Sequence, residues 1–229
     1  IAGFASCKKQ FEKLLVNPNY PSASTADVDL YLNEVQLDFN TFWTSAGDYG
    51  AQLSRHQHWN GPFYRNGYTP SSFDFQWTIA YTGVITNTNA LIPLAQSQRK
   101  YLQSGIARIL KAYTLATLVD NFGDVPFSEA NLGNDNTIPK VDGGASVYAG
   151  VQTLLDSAIA DLAKPNAATF KGNDLFYNGS KANWVTLAKT LKLKFYMQTR
   201  LVDASATAKI QALVTENNLI NTAAQDFVF

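Results

Sequence analysis

Apolar residues recur at steps of three and four along most of the chain, which is the spacing of helices with one buried face. Val28, Tyr31, Leu32, Val35, Phe39, Phe42 and Trp43 form the first stripe. Ser24, followed three residues on by Asp27, supplies an imperfect capping box that places a carboxylate at the positive end of the helix dipole. Gly47 and Gly50 are expected to break this helix after about five turns. Phe73, Trp77, Tyr81, Val84, Thr88 and Leu91 form a second stripe, with its end expected near Pro93. A third runs through Leu102, Ile106, Ile109, Tyr113 and Ala116 to Asp120, and stops hard at Asn121-Phe122-Gly123-Asp124-Val125-Pro126. Gly123 can take the left-handed conformation that closes a helix, and Pro126 cannot continue one.

A fourth stripe begins near Ser146 with Val147, Val151, Leu154, Leu155, Ala158 and Leu162, and ends before Pro165. Ser180 is placed to cap a fifth, built on Trp184, Leu187, Ala188, Leu191 and Phe195. Lys181, Lys189, Lys192 and Arg200 fall mostly off that stripe and read as a solvated rear face. A sixth helix is predicted from about Thr207 through Val214. Sustained alternation of apolar and polar residues is missing, so the predicted class is all-α. Consecutive antiparallel helices with apolar seams suggest a helical-pair solenoid, although no clean repeat period is visible.

The least regular stretch runs from Gln52 to Pro70 and mixes Gly61, Pro62 and Gly67 with polar residues and the aromatics Trp59, Phe63, Tyr64 and Tyr68. Exposed aromatic loops of this kind carry function, but the same rings could tuck beneath the loop and close the core. His56 and His58, two apart with no nearby Cys or carboxylate, are a weak metal signal. The Asn-rich stretch Asn131–Thr137 offers oxygen ligands, but their order does not match a calcium-binding EF-hand loop.

With 229 residues, 46% of them hydrophobic, the chain can bury a sizeable core and could be one large domain. Its 18 basic and 18 acidic residues cancel, which leaves no electrostatic case for nucleic acid. No run of apolar residues is long enough to span a bilayer as a helix. The single cysteine, Cys7, has no partner for an intramolecular disulfide. It reads either as a free thiol or, after Ile1-Ala2-Gly3-Phe4-Ala5-Ser6, as the acceptor cysteine at the end of a bacterial lipoprotein signal peptide. Asn17-Pro18-Asn19-Tyr20-Pro21 then favours an extended tether.

Four segments taken together resemble a known family. Ile109-Leu110-Lys111-Ala112-Tyr113 leading to Leu118-Val119-Asp120-Asn121-Phe122-Gly123-Asp124-Val125-Pro126-Phe127 is similar to the helix and "fGDvP" stop of the SusD/RagB nutrient-binding lipoproteins of the Bacteroidetes outer membrane. The same family is resembled by "NPNyP" at 17–21, by Trp77 and Tyr81 followed by Asn89-Ala90, and by Asn178-Gly179-Ser180 through Trp184 to Leu193. The resemblance implies helical hairpins of tetratricopeptide type decorated by long loops. It divides the chain into the end of a signal peptide (1–6), a lipidated N-terminus and tether (7–23) and one α-helical domain (24–229) that is an N-terminal portion of a longer protein.

By the same resemblance, the protein needs no cofactor and binds oligosaccharides or peptides without catalysis. It would be held by a lipid anchor on Cys7, facing the cell exterior, as a lid on a SusC-like TonB-dependent transporter. Sugar capture needs flat apolar platforms beside fixed donors and acceptors. Trp59, Tyr64 and Tyr68, with His58, Asn60, Arg65 and Asn66, offer that combination. Arg65 would serve a peptide carboxylate or an acidic sugar equally well. The alternative is a helical scaffold that binds only a protein partner. A glycoside hydrolase would need two facing carboxylates, and the clustered acids Asp120, Asp124 and Glu129 fit a turn better.

Overall fold

The computed structural model describes residues 27–58, 67–167, 170 and 173–229. Its helices are α1 (Val28–Leu53), α2 (Asp74–Thr78), α3 (Thr86–Ser97), α4 (Tyr101–Phe122), α5 (Gly144–Leu162), α6 (Lys181–Thr199) and α7 (Ala206–Glu216). A π-helical segment, Ile79–Ile85, joins α2 to α3 without a break. The only β pairing among the described residues is an isolated antiparallel bridge between Val125 and Asp142. The class is therefore all-α.

α1 starts one turn later than the predicted Ser24 cap, with Asp27 itself in extended backbone as the N-cap, whereas Ser180 caps its helix as expected. Asp27 accepts a hydrogen bond from the Asp29 amide at 2.8 Å, and Ser180 Oγ accepts from the Asn183 amide at 3.3 Å. Ser24, Cys7 and the tether lie outside the described residues. At its far end α4 closes on Gly123, whose φ of +81° with ψ -117° is a positive-φ conformation open to glycine, though not the left-handed helical cap expected of it.

In three places the helices depart from the sequence reading. α1 runs through Gly47 and Gly50 to Leu53, and neither glycine has a neighbour within 4 Å of where a Cβ would stand. Each costs the helix only about 1 kcal/mol against alanine, and burial of Val28, Leu32, Val35, Phe39 and Phe42 along the same rod offsets it. α3 passes through Pro93 to Ser97, because Leu91, Ile92 and Ala95 on either side are buried. Third, α4 carries no single stripe: Ser104, Gly105, Ala107, Leu110, Ala112, Thr114, Leu115 and Leu118 are buried as well as Leu102, Ile106, Ile109, Tyr113 and Ala116, while Asp120 at the end of the predicted stripe is exposed. It is the central helix and packs against α1, α3, α5 and α6.

Polar side chains pin this centre. Gly105 lets α5 come close, since a Cβ there would sit 2.7 Å from Leu162 Cγ. Asp161 on α5 accepts from Gln96 on α3 (3.1 Å), Ser104 and Arg108 on α4 (2.8 and 3.0 Å) and Lys164 (2.8 Å). Burial pushes its carboxyl up, and the four hydrogen bonds outweigh burial and hold it below the usual carboxylate range. The rear-face reading of α6 also changes, because Lys189 pairs with Glu216 on α7 and Lys192 with Asp156 on α5. These lysines staple neighbouring helices instead of standing in solvent.

Candidate functional site

The π-helical segment shapes a surface. Before it Gln76 holds the buried position, within it Ala80, Gly83, Val84 and Ile85 do, and after it Thr88, Leu91, Ile92 and Ala95 do. One residue extra in a turn rotates everything upstream about the helix axis. Phe73, Trp77 and Tyr81, which lead the predicted core stripe, are thereby turned to the rim and left half-buried. The wide turn is held from both sides. Thr86 Oγ1 donates to the Tyr81 carbonyl at 2.7 Å, and Asn131 Nδ2 donates to the same oxygen at 2.8 Å. Asn131 itself stands in the left-handed region at φ +61°.

The hard stop of α4 completes this rim. Phe122 is the last helical residue, and beyond Gly123 the chain returns along Val125 to reach Asp142. Asp142 closes the loop by accepting from the Ser128 amide (2.7 Å), the Phe127 amide (3.0 Å) and the Ser128 hydroxyl. The Ser128 amide is the main reason its carboxyl lies below the usual range, although burial opposes the shift. Tyr81 hydroxyl donates to the Pro126 carbonyl at 2.6 Å and ties the loop to the π-helical segment.

The result is a continuous aromatic wall. Tyr68 meets Tyr49 edge-on at 5.0 Å between ring centres, Tyr49 meets Phe73 at 4.9 Å, and Phe73 meets Phe122 at 5.7 Å. Phe122 meets Trp77 at 4.9 Å, and Trp77 lies nearly parallel to Tyr81, 5.6 Å away. Three cavities follow this wall. The first, about 550 Å³, runs along α1 between Asn40, Thr44, Asp48 and Gln52 and the exposed ring of Phe75. The second, about 390 Å³, is lined by Tyr49, Leu53, Phe73, Gln76, Trp77 and Phe122. Trp77, Tyr81, Asn131, Leu132 and Pro139 line the third, about 310 Å³. Tyr49 borders the first and second, and Trp77 the second and third.

One polar group in this wall lacks a partner. Gln76 is 1% exposed, and its Nε2 has no hydrogen-bond acceptor among the described residues. A buried donor left unpaired costs about 1–3 kcal/mol, a cost that a ligand oxygen in the second cavity would relieve.

Of the residues singled out from sequence, Trp59, Asn60, Tyr64, Arg65 and Asn66 lie outside the described residues. Tyr68 belongs to the wall, its hydroxyl donating to Gln52 Oε1. His58 is exposed and lines none of the three cavities. His56 Nδ1 hydrogen-bonds Ser54 Oγ at 2.8 Å, and no group of three or more metal-ligating side chains is found among the described residues. Phe73, Trp77 and Phe122 were read as helix interior or helix punctuation, and Tyr49 was not singled out. The available signal was the density of aromatics on both flanks of the 52–70 loop.

A sequence profile described as SusD-like, starch-binding and associating with the outer membrane matches residues 18–229. No curated protein matches the chain. Among solved structures, a SusD/RagB family protein from Bacteroides thetaiotaomicron is 22% identical over 88% of this chain and 44% of its own, with a TM-score of 0.67. A chitin-binding SusD homologue from Flavobacterium johnsoniae is 23% identical over 70% of this chain and 34% of its own, with a TM-score of 0.62. A SusD homologue from Bacteroides fragilis is 20% identical, covering 65% and 32%, with a TM-score of 0.55. At these identities the likeness shows the fold. The chain spans less than half the length of these solved proteins.

Proposed function

The chain belongs to the SusD-like family, and we propose that it captures oligosaccharides at the outer-membrane surface and hands them to a SusC-like TonB-dependent transporter. Binding without catalysis is part of that reading. One observation carries the ligand half. Half-buried ring faces and a buried, unpartnered amide donor, Gln76 Nε2, border the same cavity. Ring faces suit the apolar CH faces of pyranoses, and a fixed donor suits a ring or hydroxyl oxygen. The chitin-binding homologue, with the same fold, supports a saccharide over a peptide.

The membrane half rests on the family and on Cys7. No helix among the described residues is long and apolar enough to cross a bilayer, so attachment by acyl chains, at about 0.8 kcal/mol per buried methylene, is the route assigned here. Affinity purification of the tagged protein from detergent-solubilised outer membranes, with mass spectrometry of the N-terminus, tests this. A co-purifying β-barrel and a diacylated Cys7 are expected; an unacylated protein without a barrel contradicts the transporter role. Replacing Trp59 and Tyr64 together by alanine tests whether the loop adds to the wall, with weaker oligosaccharide affinity expected and unchanged affinity removing the loop from the site.

A further inference from the structure

We infer that the aromatic wall selects uncharged glycans and that Asp48 is the residue that enforces the selection. The inference rests on the saccharide-binding reading above. Charge is distributed unevenly between the molecule and its wall. The whole chain carries 18 basic and 18 acidic residues, yet among the described residues Asp48 is the only charged side chain lining any of the three cavities. No lysine or arginine among the described residues faces them. A uronic acid, a sulfate ester or a peptide carboxylate bound there would leave water without gaining a counter-charge from the described lining, and would meet the Asp48 carboxylate besides.

The geometry gives Asp48 a second role. It stands on α1 in helical register with Thr44 and Gln52, so the three present oxygen acceptors along one face of the helix. Phe75, 55% exposed, forms the opposite side of that cavity. Asp48 makes no ion pair among the described residues, whereas Gln52 is engaged by the Tyr68 hydroxyl. A carboxylate with two oxygens accepts from two neighbouring hydroxyls at once, as vicinal diols of a sugar present them. Gln76 in the adjoining cavity supplies the complementary donor. Donors wanted at one end and an acceptor at the other, with no cation among the described residues that line the cavities, describe a neutral polyol chain.

The test is isothermal titration of the protein with four hexasaccharides: maltohexaose, cellohexaose and chitohexaose as neutral probes, and hexagalacturonate as the anionic one. The expected result is saturable binding of at least one neutral probe, with hexagalacturonate at least about tenfold weaker, as like-charge contact predicts. Asp48→Asn should weaken the neutral probe and narrow the gap, and Asp48→Lys should narrow it further or reverse it. Helical circular dichroism and melting temperature report folding of both variants, which change an exposed position. Hexagalacturonate binding as tightly as every neutral probe overturns the selectivity while leaving the saccharide reading intact. A gap that persists in Asp48→Lys removes Asp48 as its cause. Silence toward all four probes removes the saccharide reading and the inference with it.

Discussion

Two aromatic clusters of similar size meet different fates in this fold. In one, Trp184 is fully buried, meets Phe176 and Tyr177 edge-on at 5.9 and 5.2 Å, and donates from its indole nitrogen to Asp174 Oδ2 at 2.7 Å. Phe39, Phe195 and Phe227 close around it and around Tyr113. Asp174 has its other contacts filled by the amides of Phe176, Tyr177 and Gly179. In the other cluster, Tyr49, Phe73, Trp77 and Phe122 are half-buried, leave cavities beside them and keep Gln76 Nε2 unpaired. The difference lies in polar completion. A cluster whose rings and polar atoms are all satisfied is core, and one that leaves both ring faces and a buried donor open is suited to a ligand.

The comparison breaks most visibly at Trp184. Trp184→Ala should cost about 3–5 kcal/mol in chemical denaturation, because it empties a core site and strands Asp174. Trp77→Ala should reverse the pattern. It should cost roughly 1–2 kcal/mol of stability, since the ring is only half-buried. Oligosaccharide affinity should nonetheless fall about tenfold or more, ~1.4 kcal/mol of binding. If both substitutions affect stability and binding in proportion, the distinction between the clusters fails.

Acid sharpens the contrast further. Asp142 has its carboxyl held low by the Ser128 amide, so its contribution is fully present above the ordinary carboxylate pKa near 4. It is lost as pH falls through the lower folded value. Protection of the Phe127 and Ser128 amides against hydrogen exchange, relative to the intrinsic rate at each pH, should therefore fall on acidification below about pH 4, and Asp142→Asn should show lower protection already at neutral pH with little further change. The smallest effect is expected at the helix staples. Lys192→Ala should shift stability by no more than about 1 kcal/mol and leave binding unchanged, because its partner Asp156 is largely exposed.

Much of the fold was legible because it rests on periodicity. The stripes of α5 and α6 are buried as written apart from the part-buried Leu154, and Gly123 closes α4 at positive φ. Illegible features came from context. Gly47, Gly50 and Pro93 act as breakers only where tertiary burial does not outweigh their local cost, and here it does. The site was harder to read than the fold. The stripe through Phe73, Trp77 and Tyr81 has the right spacing for core, and only the inserted π turn, for which no local sequence rule exists, rotates it to the rim. Tyr68 was singled out because it sits in an aromatic, Gly/Pro-rich loop, and its ring packs against Tyr49 in the wall. Asp48 and Gln76 were missed because a lone polar residue on a helix gives no sign of whether it faces solvent, a partner or a cavity.

The central claim is that the half-buried wall, and not the closed cluster, holds the ligand. The most direct measurement is calorimetric titration of the neutral hexasaccharide that binds best against the Tyr49→Ala/Trp77→Ala double variant and against Trp43→Ala, which removes a part-exposed tryptophan stacked on the closed cluster. Loss of binding in the double variant with wild-type affinity in Trp43→Ala is the predicted result. Undiminished affinity in the folded double variant would contradict the account.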